Sequence, residues 1–134
     1  MNDQQWFEYH LDQLLESLNK LEALPEFAPE HISETDELFL ENFQHLIESM
    51  STHSGDWYAE GQDVINQLVR LYPQHTHLAS RDLFWFFGGD CLHFLDDEEI
   101  EFYQNIEELR FQAEQQGLHF DYEALKDRFG KTTH

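Results

Sequence analysis

The run Gly88–Phe94 carries the side chains with the widest choice of chemistry in this chain. It contains Asp90, Cys91 and His93 within four positions. A thiolate and an imidazole can bind soft metal ions, and together they can form a nucleophile and its base. On a helix, residues two positions apart point to nearly opposite sides, so Cys91 and His93 are not expected to share a metal or a proton. We expect this run to serve mainly in packing. The alternative is a pocket beside it for a ligand or a metal, with Asp97 as a further member.

Two consecutive glycines, Gly88 and Gly89, open this run. They lack the spacing of a nucleotide-binding loop and follow no predicted strand, so we assign no cofactor. Glycine has no Cβ, which lets a second helix approach closely or lets the chain bend. The pair therefore predicts either a close helix contact or a break in a helix.

Metal binding is not supported by the spacing of the possible ligands. Cys91 is the only cysteine, which excludes the usual structural zinc sets. Glu41, His45 and Glu48 place two carboxylates and an imidazole near one helix face. Di-iron bundles instead use Glu-x-x-His on two helices with two further glutamates, and this chain has no second copy of such a motif. We therefore predict no metal site.

Acidic residues dominate the chain, with 28 Asp and Glu against seven Lys and Arg and a formal net charge of −21. Residues 1–69 hold fifteen of these acids and a single base, Lys20. Charge of this sign repels nucleic acid, anionic membranes and other acidic proteins. It favours either a cationic partner or solubility alone, so we expect no direct contact with nucleic acid or membrane.

Five of the acids form two regularly spaced series. Glu8, Asp12 and Glu16 stand four residues apart, as do Glu37 and Glu41. On a helix four residues rise about 6 Å, and like charges at this spacing cost roughly 0.2–0.5 kcal/mol per pair. We predict that these residues form a surface for a basic protein partner. The alternatives are a solvated face that only maintains solubility, and a surface that mimics the phosphate spacing of nucleic acid.

The composition is that of a folded protein rather than a disordered one. Aromatic residues make up 15% and hydrophobic residues 40% of the chain, whereas disordered chains are poor in aromatics. The length of 134 residues fits one domain, and we take 1–134 as a single acidic helical domain. We expect no signal peptide and no membrane span. With a lone cysteine, this pattern predicts a cytoplasmic protein.

The elements that must position these residues are helices, because apolar residues recur at three- and four-residue steps. Capping residues, prolines and glycines set the approximate bounds of the helices. The predicted helices are Asp3–Leu24, a second from Ser33 or Thr35 to a loop at 52–55, Ser54–Tyr72, Leu78–Leu95, Asp96–Gly117 and Asp121–Gly130. Together they predict an all-α, single-domain bundle of five or six helices with short loops.

The fourth predicted helix contains five consecutive large apolar residues, Leu83–Phe87. Such a helix has no polar face and should lie at the centre of the bundle. A buried strand is the competing interpretation because Phe and Trp favour strands, but no partner strand is visible. If the run is too wide for one small core, part of it faces a partner or a second copy of the chain, and the second copy would form a homodimer.

The run Asp82–Phe94, followed by 97–100 (Asp-Glu-Glu-Ile), resembles a signature of small uncharacterised proteobacterial proteins with a Gly-Gly-Asp-Cys-Leu-His motif. The similarity covers mainly residues 80–125. The resemblance implies a bacterial cytoplasmic setting. It implies no activity and supplies no catalytic residue. We therefore assign no catalytic residue. On the basis of the two acidic series, we predict a small acidic protein-interaction module.

Overall fold

Six α-helices follow one another along residues 1–133, which this computed structural model describes, with side chains as far as residue 128. Their bounds are Asp3–Glu22 (α1), Glu34–Ser51 (α2), Trp57–Leu71 (α3), Arg81–Phe87 (α4), Asp97–Gln116 (α5) and Tyr122–Thr133 (α6). Three short 3-10 helices lie between them, Pro25–Phe27, Pro73–Leu78 and Gly89–Phe94. Residues 1–133 contain no strand, so the predicted all-α bundle is confirmed. None of these helices is both long enough and apolar enough to cross a membrane.

Local capping determines both ends of α5. The Asp96 carboxylate accepts a hydrogen bond from the backbone N–H of Glu99 at 2.8 Å, and the Glu99 carboxylate accepts one from the backbone N–H of Asp96 at 3.1 Å. Gly117 follows the last turn with a φ of +65°, a left-handed conformation that glycine adopts without a steric penalty. The predicted capping box and the predicted end of this helix are therefore confirmed.

The start of α3 and the end of α6 differ from the prediction. The N-cap of α3 is Asp56, whose carboxylate accepts from the backbone N–H of Ala59 at 3.3 Å. Ser54 instead lies with its hydroxyl 2.6 Å from that of Thr52. Gly55 has a φ of +64°, and this left-handed turn separates Ser54 from the helix. The helix α6 continues past its predicted end at Gly130 as far as Thr133.

The predicted helix over Leu78–Leu95 is wrong because the chain divides it into shorter elements. The α-helical part is α4 alone, and the 3-10 helix Gly89–Phe94 follows it. Gly88 and Gly89 have φ angles of +60° and +56°. A residue with a Cβ pays about 1–3 kcal/mol at such positive φ angles. The glycine pair therefore breaks the helix, which is one of the two roles that the sequence predicts.

Most of the core lies among α1–α4, and α5 and α6 add Tyr103, Ile106 and Tyr122 to it. The helix α2 packs against both α1 and α3, and α3 also contacts α4 and the 3-10 helix after it. Leu83, Phe84 and Phe87 are all 0% exposed, so the predicted central position of this run is confirmed. Trp85 and Phe86 are half-buried. The run therefore offers little free surface for the homodimer contact that we predict there, and the homodimer stays a prediction.

The helix α5 depends on a few specific side chains for its position. Only Tyr103 and Ile106 of α5 are buried. Near its start, the Arg81 guanidinium donates to both carboxylate oxygens of Glu99, at 2.7 and 2.8 Å. Toward its end, the guanidinium of Arg110 lies 4.4 Å from the ring centre of Trp6 in α1. Polar and cation–π contacts therefore supplement a small apolar contact area.

Candidate functional site

One buried carboxylate, that of Asp82, collects four hydrogen-bond donors. Asp82 is only 1% exposed. Its Oδ1 accepts from the hydroxyls of Tyr103 at 2.7 Å and Tyr122 at 2.6 Å. Its Oδ2 accepts from the hydroxyl of Tyr9 at 2.5 Å and from the Nζ of Lys126 at 2.8 Å. These five residues are called the Asp82 site below.

Four different helices supply the Asp82 site. Asp82 lies in the first turn of α4, Tyr9 in α1 and Tyr103 in α5. Tyr122 and Lys126 both lie in α6, four positions apart, so they share one face of that helix. The donors are 21 to 73 positions from Asp82 in the sequence. The site therefore fixes the helices α1, α4, α5 and α6 to one another.

The donors keep Asp82 ionised in spite of its burial. Burial alone would raise the pKa of Asp82, but the hydrogen bonds from Lys126 and the three tyrosines outweigh it and hold the pKa below its usual range. Burial and the negative charge of Asp82 raise the pKa values of Tyr9, Tyr103 and Tyr122. The hydroxyls therefore remain protonated and donate to the carboxylate.

The filled geometry of the site argues against acid–base catalysis by Asp82. A carboxylate has about four lone-pair positions, and the four donors occupy them. Phenols whose pKa values are raised are also poor nucleophiles at neutral pH. The arrangement is instead suited to holding a positive charge, because the carboxylate and the aromatic rings face an ammonium group.

The acidic series on α1 is exposed as predicted. Glu8, Asp12 and Glu16 all lie on the surface of this helix, and they are called the acidic stripe below. Glu16 forms an ion pair with Lys20 at 3.2 Å, which at an exposed site contributes about 0–1 kcal/mol. Within the residues whose side chains are described, Glu8 and Asp12 belong to no ion pair. The negative charge of the stripe is therefore largely uncompensated.

Glu37 and Glu41 of α2 are exposed as well, on a helix that packs against α1. Glu37 and Glu41 belong to no ion pair among the described side chains. The Nδ1 of His45 lies 3.0 Å from the carboxylate of Glu60 in α3, so His45 is directed to α3 rather than to a shared site with Glu41. The described part of the chain contains no group of three or more His, Cys, Asp or Glu side chains arranged to hold a metal ion.

The residues of the run Gly88–Phe94 do not assemble into one site. Cys91 is 0% exposed and belongs to the core, whereas Asp90 and His93 are exposed. The Sγ of Cys91 lies 3.8 Å from the carbonyl oxygen of Gln62. Burial raises the pKa of Cys91 to about 11, so its thiol is protonated at neutral pH and is a poor nucleophile. Cys91 packs as a small apolar residue. Asp97 lies exposed in the first turn of α5.

Sequence reasoning did not find Asp82 as a site residue. An acid in the first turn of a helix normally faces water and interacts with the helix dipole. A signal was nevertheless present, because Asp82 directly precedes the apolar run Leu83–Phe87, whose helix is expected to lack a polar face. An acid in a fully buried helix must have partners. The identity of those partners follows from the tertiary fold alone.

Comparison with curated proteins and with solved structures found no match. A sequence model of one family, described as PA2817-like, matches residues 1–133. The matched range includes all six helices, the five residues of the Asp82 site and both acidic series. Because the match extends over almost the entire sequence, the chain belongs to the PA2817-like family.

Proposed function

We propose that this protein is a small acidic interaction module that binds a basic protein partner. The acidic stripe of α1, together with Glu37 and Glu41 of α2, is the contact surface. One observation carries the proposal: all five acids are exposed, and only Glu16 has a basic partner among the described side chains. We place this function in the bacterial cytoplasm, on the basis of the lone Cys91 and the resemblance carried by the run Asp82–Phe94.

The physical argument starts from the repulsion within the stripe. Its carboxylates stand one above the other on a continuous helix, at a rise of about 6 Å for each step of four residues. Lysine or arginine side chains of a partner would replace this repulsion by attraction. Exposed charges of this kind mainly raise the association rate and make binding sensitive to salt. We therefore expect fast, salt-dependent association rather than very tight binding.

The test is a pull-down from cell lysate with the tagged protein at low and high salt, read by mass spectrometry. The test variant carries Glu8→Lys, Asp12→Lys and Glu16→Lys together. The matched control carries Glu101→Lys, Glu108→Lys and Glu114→Lys on α5, where the three acids are also exposed. Both variants change the net charge equally, so the comparison separates the position of the charges from their number.

The expected result is a basic protein that the wild type and the α5 control retain at low salt and release at high salt. The stripe variant should lose this protein. Equal retention by the stripe variant would overturn the proposal, and equal loss from both variants would show that only the total charge matters. If added duplex DNA releases the partner, DNA and the stripe compete for the same basic surface, and the stripe acts as a nucleic-acid mimic.

A further inference from the structure

We propose that the Asp82 site is a binding site for a primary ammonium group, which Lys126 fills in this chain and which a lysine of the basic partner can fill in its place. The proposed function supplies only the source of the incoming ammonium. The site itself can be tested without any partner.

The contacts of Lys126 define what the site recognises. The Nζ of Lys126 donates to the Oδ2 of Asp82 at 2.8 Å and to the hydroxyl of Tyr9 at 3.1 Å. The same nitrogen lies 5.9 Å from the ring centre of Tyr9 and 6.0 Å from that of Tyr122. An ammonium near aromatic faces and a carboxylate gains both cation–π and charge-assisted hydrogen-bond energy.

The geometry selects an ammonium over a guanidinium. The Oδ1 of Asp82 already accepts hydrogen bonds from Tyr103 and Tyr122, at 2.7 and 2.6 Å. A cation can reach only the Oδ2, as Lys126 does, and there the cation shares the oxygen with the hydroxyl of Tyr9. A guanidinium binds carboxylates best through two parallel hydrogen bonds to both oxygens, whereas an ammonium is a compact donor that needs one.

The site opens to the solvent on the side of Lys126. The Lys126 side chain is 44% exposed, although the Asp82 side chain that it reaches is 1% exposed. The stem of Lys126 therefore runs from the surface to the buried carboxylate. Outward rotation of this long, flexible side chain would leave the same route open to a second ammonium.

The charge around this opening is negative, which suits an incoming cation. The carboxylates of Glu16 and Glu123 lie close enough to act electrostatically on the Tyr9 hydroxyl. Glu16 is also the last member of the acidic stripe. A basic segment bound along the stripe would therefore bring its lysines to the opening of the Asp82 site.

The experiment removes the internal ammonium and supplies one from outside. Lys126→Ala deletes the side chain beyond Cβ, and n-propylammonium chloride replaces the missing atoms. We expect Lys126→Ala to melt at a lower temperature than the wild type. At roughly five times its Kd, the amine should raise the Tm of the variant by about 4 °C, and it should raise the Tm of the wild type much less.

Three controls isolate the carboxylate and the N–H donors. Tetramethylammonium chloride has the same charge but no N–H group, and n-propanol has the chain but no charge. Neither should reproduce the rise in Tm. The double variant Asp82→Asn/Lys126→Ala should not respond to n-propylammonium. Equal responses of the single and double variants, or of n-propylammonium and tetramethylammonium, would overturn the proposal.

A refolding assay covers the case in which Lys126→Ala does not fold alone. The variant is refolded in n-propylammonium chloride and in sodium chloride, and the recovered helicity is measured by circular dichroism. The proposal predicts recovery in the amine only. A chain that stays unfolded in both salts would contradict it, because the ammonium could then not be supplied from outside.

A last arm distinguishes a free amine from a lysine of a polypeptide. The probe is a capped peptide with one lysine between glycines, at the same ammonium concentration as n-propylammonium. A rise in the Tm of Lys126→Ala with both probes supports entry of a partner lysine. A rise with n-propylammonium alone would assign the site to small free amines and overturn the partner lysine as its source, while leaving the proposed function of the acidic stripe intact.

Discussion

The ring of Phe87 lies directly against the backbone of Gly61, so that a Cβ added to Gly61 would be 2.0 Å from a ring carbon. Gly61 is buried in the interior of α3, where glycine costs about 1 kcal/mol relative to alanine. The side chain of the next residue, Gln62, donates to the carbonyl oxygen of Phe87 at 2.8 Å. The helix α3 therefore approaches α4 closely at Gly61, and it also lies close to Gly89, where an added Cβ would be 2.7 Å from the side-chain nitrogen of Gln62.

We expect Gly61→Ala to destabilise the protein by about 1–3 kcal/mol. The new methyl group overlaps the Phe87 ring, and the free-energy cost of this overlap exceeds the gain in helix propensity. Urea denaturation measures the loss. Phe87→Leu in the same chain should relieve the overlap, so the double variant should lose less than the sum of the two single variants. If the two losses in unfolding free energy were strictly additive, the Phe87 ring would not resist the new methyl group and the expected overlap would be refuted.

Removal of one hydroxyl tests the Asp82 site without any change in the packing of the rings. Tyr103→Phe deletes a hydrogen bond to a charged, buried acceptor, and we expect a loss of about 1.5–3 kcal/mol in the free energy of unfolding. Tyr58→Phe is the matched control, because Tyr58 is 44% exposed. Its effect should lie within about 0.5 kcal/mol of zero. Equal effects from the two variants would mean that the hydroxyl of Tyr103 does not stabilise the carboxylate.

Local signals explain what the sequence predicted correctly. The cap of α5 at Asp96 involves a residue only three positions away, so it can be read from the sequence. The exposure of Glu8, Asp12 and Glu16 likewise follows from the periodicity of one helix. These features need no knowledge of how the helices pack.

Long-range contacts explain what the sequence could not predict. The partners of Asp82 come from three other helices, 21 to 73 positions away, and no local pattern joins them. For Gly88 and Gly89, the sequence left a close contact and a break both open. Both occur, because the positive φ angles of the two glycines end α4 and because Gly89 also lies against the side chain of Gln62 in α3.

A buried histidine makes stability sensitive to mild acid. His10 is 1% exposed, and burial lowers its pKa from 6.5 to about 4. As the pH falls below 6.5 the unfolded chain takes up a proton first, so the protein loses stability by up to about 1.4 kcal/mol per pH unit until about pH 4. At pH 7 the contribution of the neutral ring is fully present.

We expect His10→Gln to flatten the dependence of the unfolding free energy on pH between 6.5 and about 4. The side-chain amide can still donate to the carbonyl oxygen of Trp6, which now lies 2.7 Å from the Nδ1 of His10. The exposed His93, changed to Gln, serves as the control and should keep the slope of the wild type. The same slope in all three proteins would refute the assignment to His10.

The burial of Cys91 predicts that its thiol is protected in the folded protein. It is 0% exposed, and its pKa is raised to about 11, so both access and thiolate formation are limited. A colorimetric disulfide reagent should therefore react in urea and only very slowly without it. Rapid reaction in the absence of urea would show that the 3-10 helix Gly89–Phe94 opens locally.

The contact between Tyr9 and Lys126 joins residues 117 positions apart. During synthesis, Asp82 leaves the ribosome 44 residues before the lysine that neutralises it. If translation stops between Asp82 and Lys126, burial of the Asp82 carboxylate would leave it without its cation. Packing α4 in its native position would then cost free energy. The native position of α4 thus depends on residues that are synthesised after it, and we expect a nascent chain that stops before Lys126 to remain open to proteolysis.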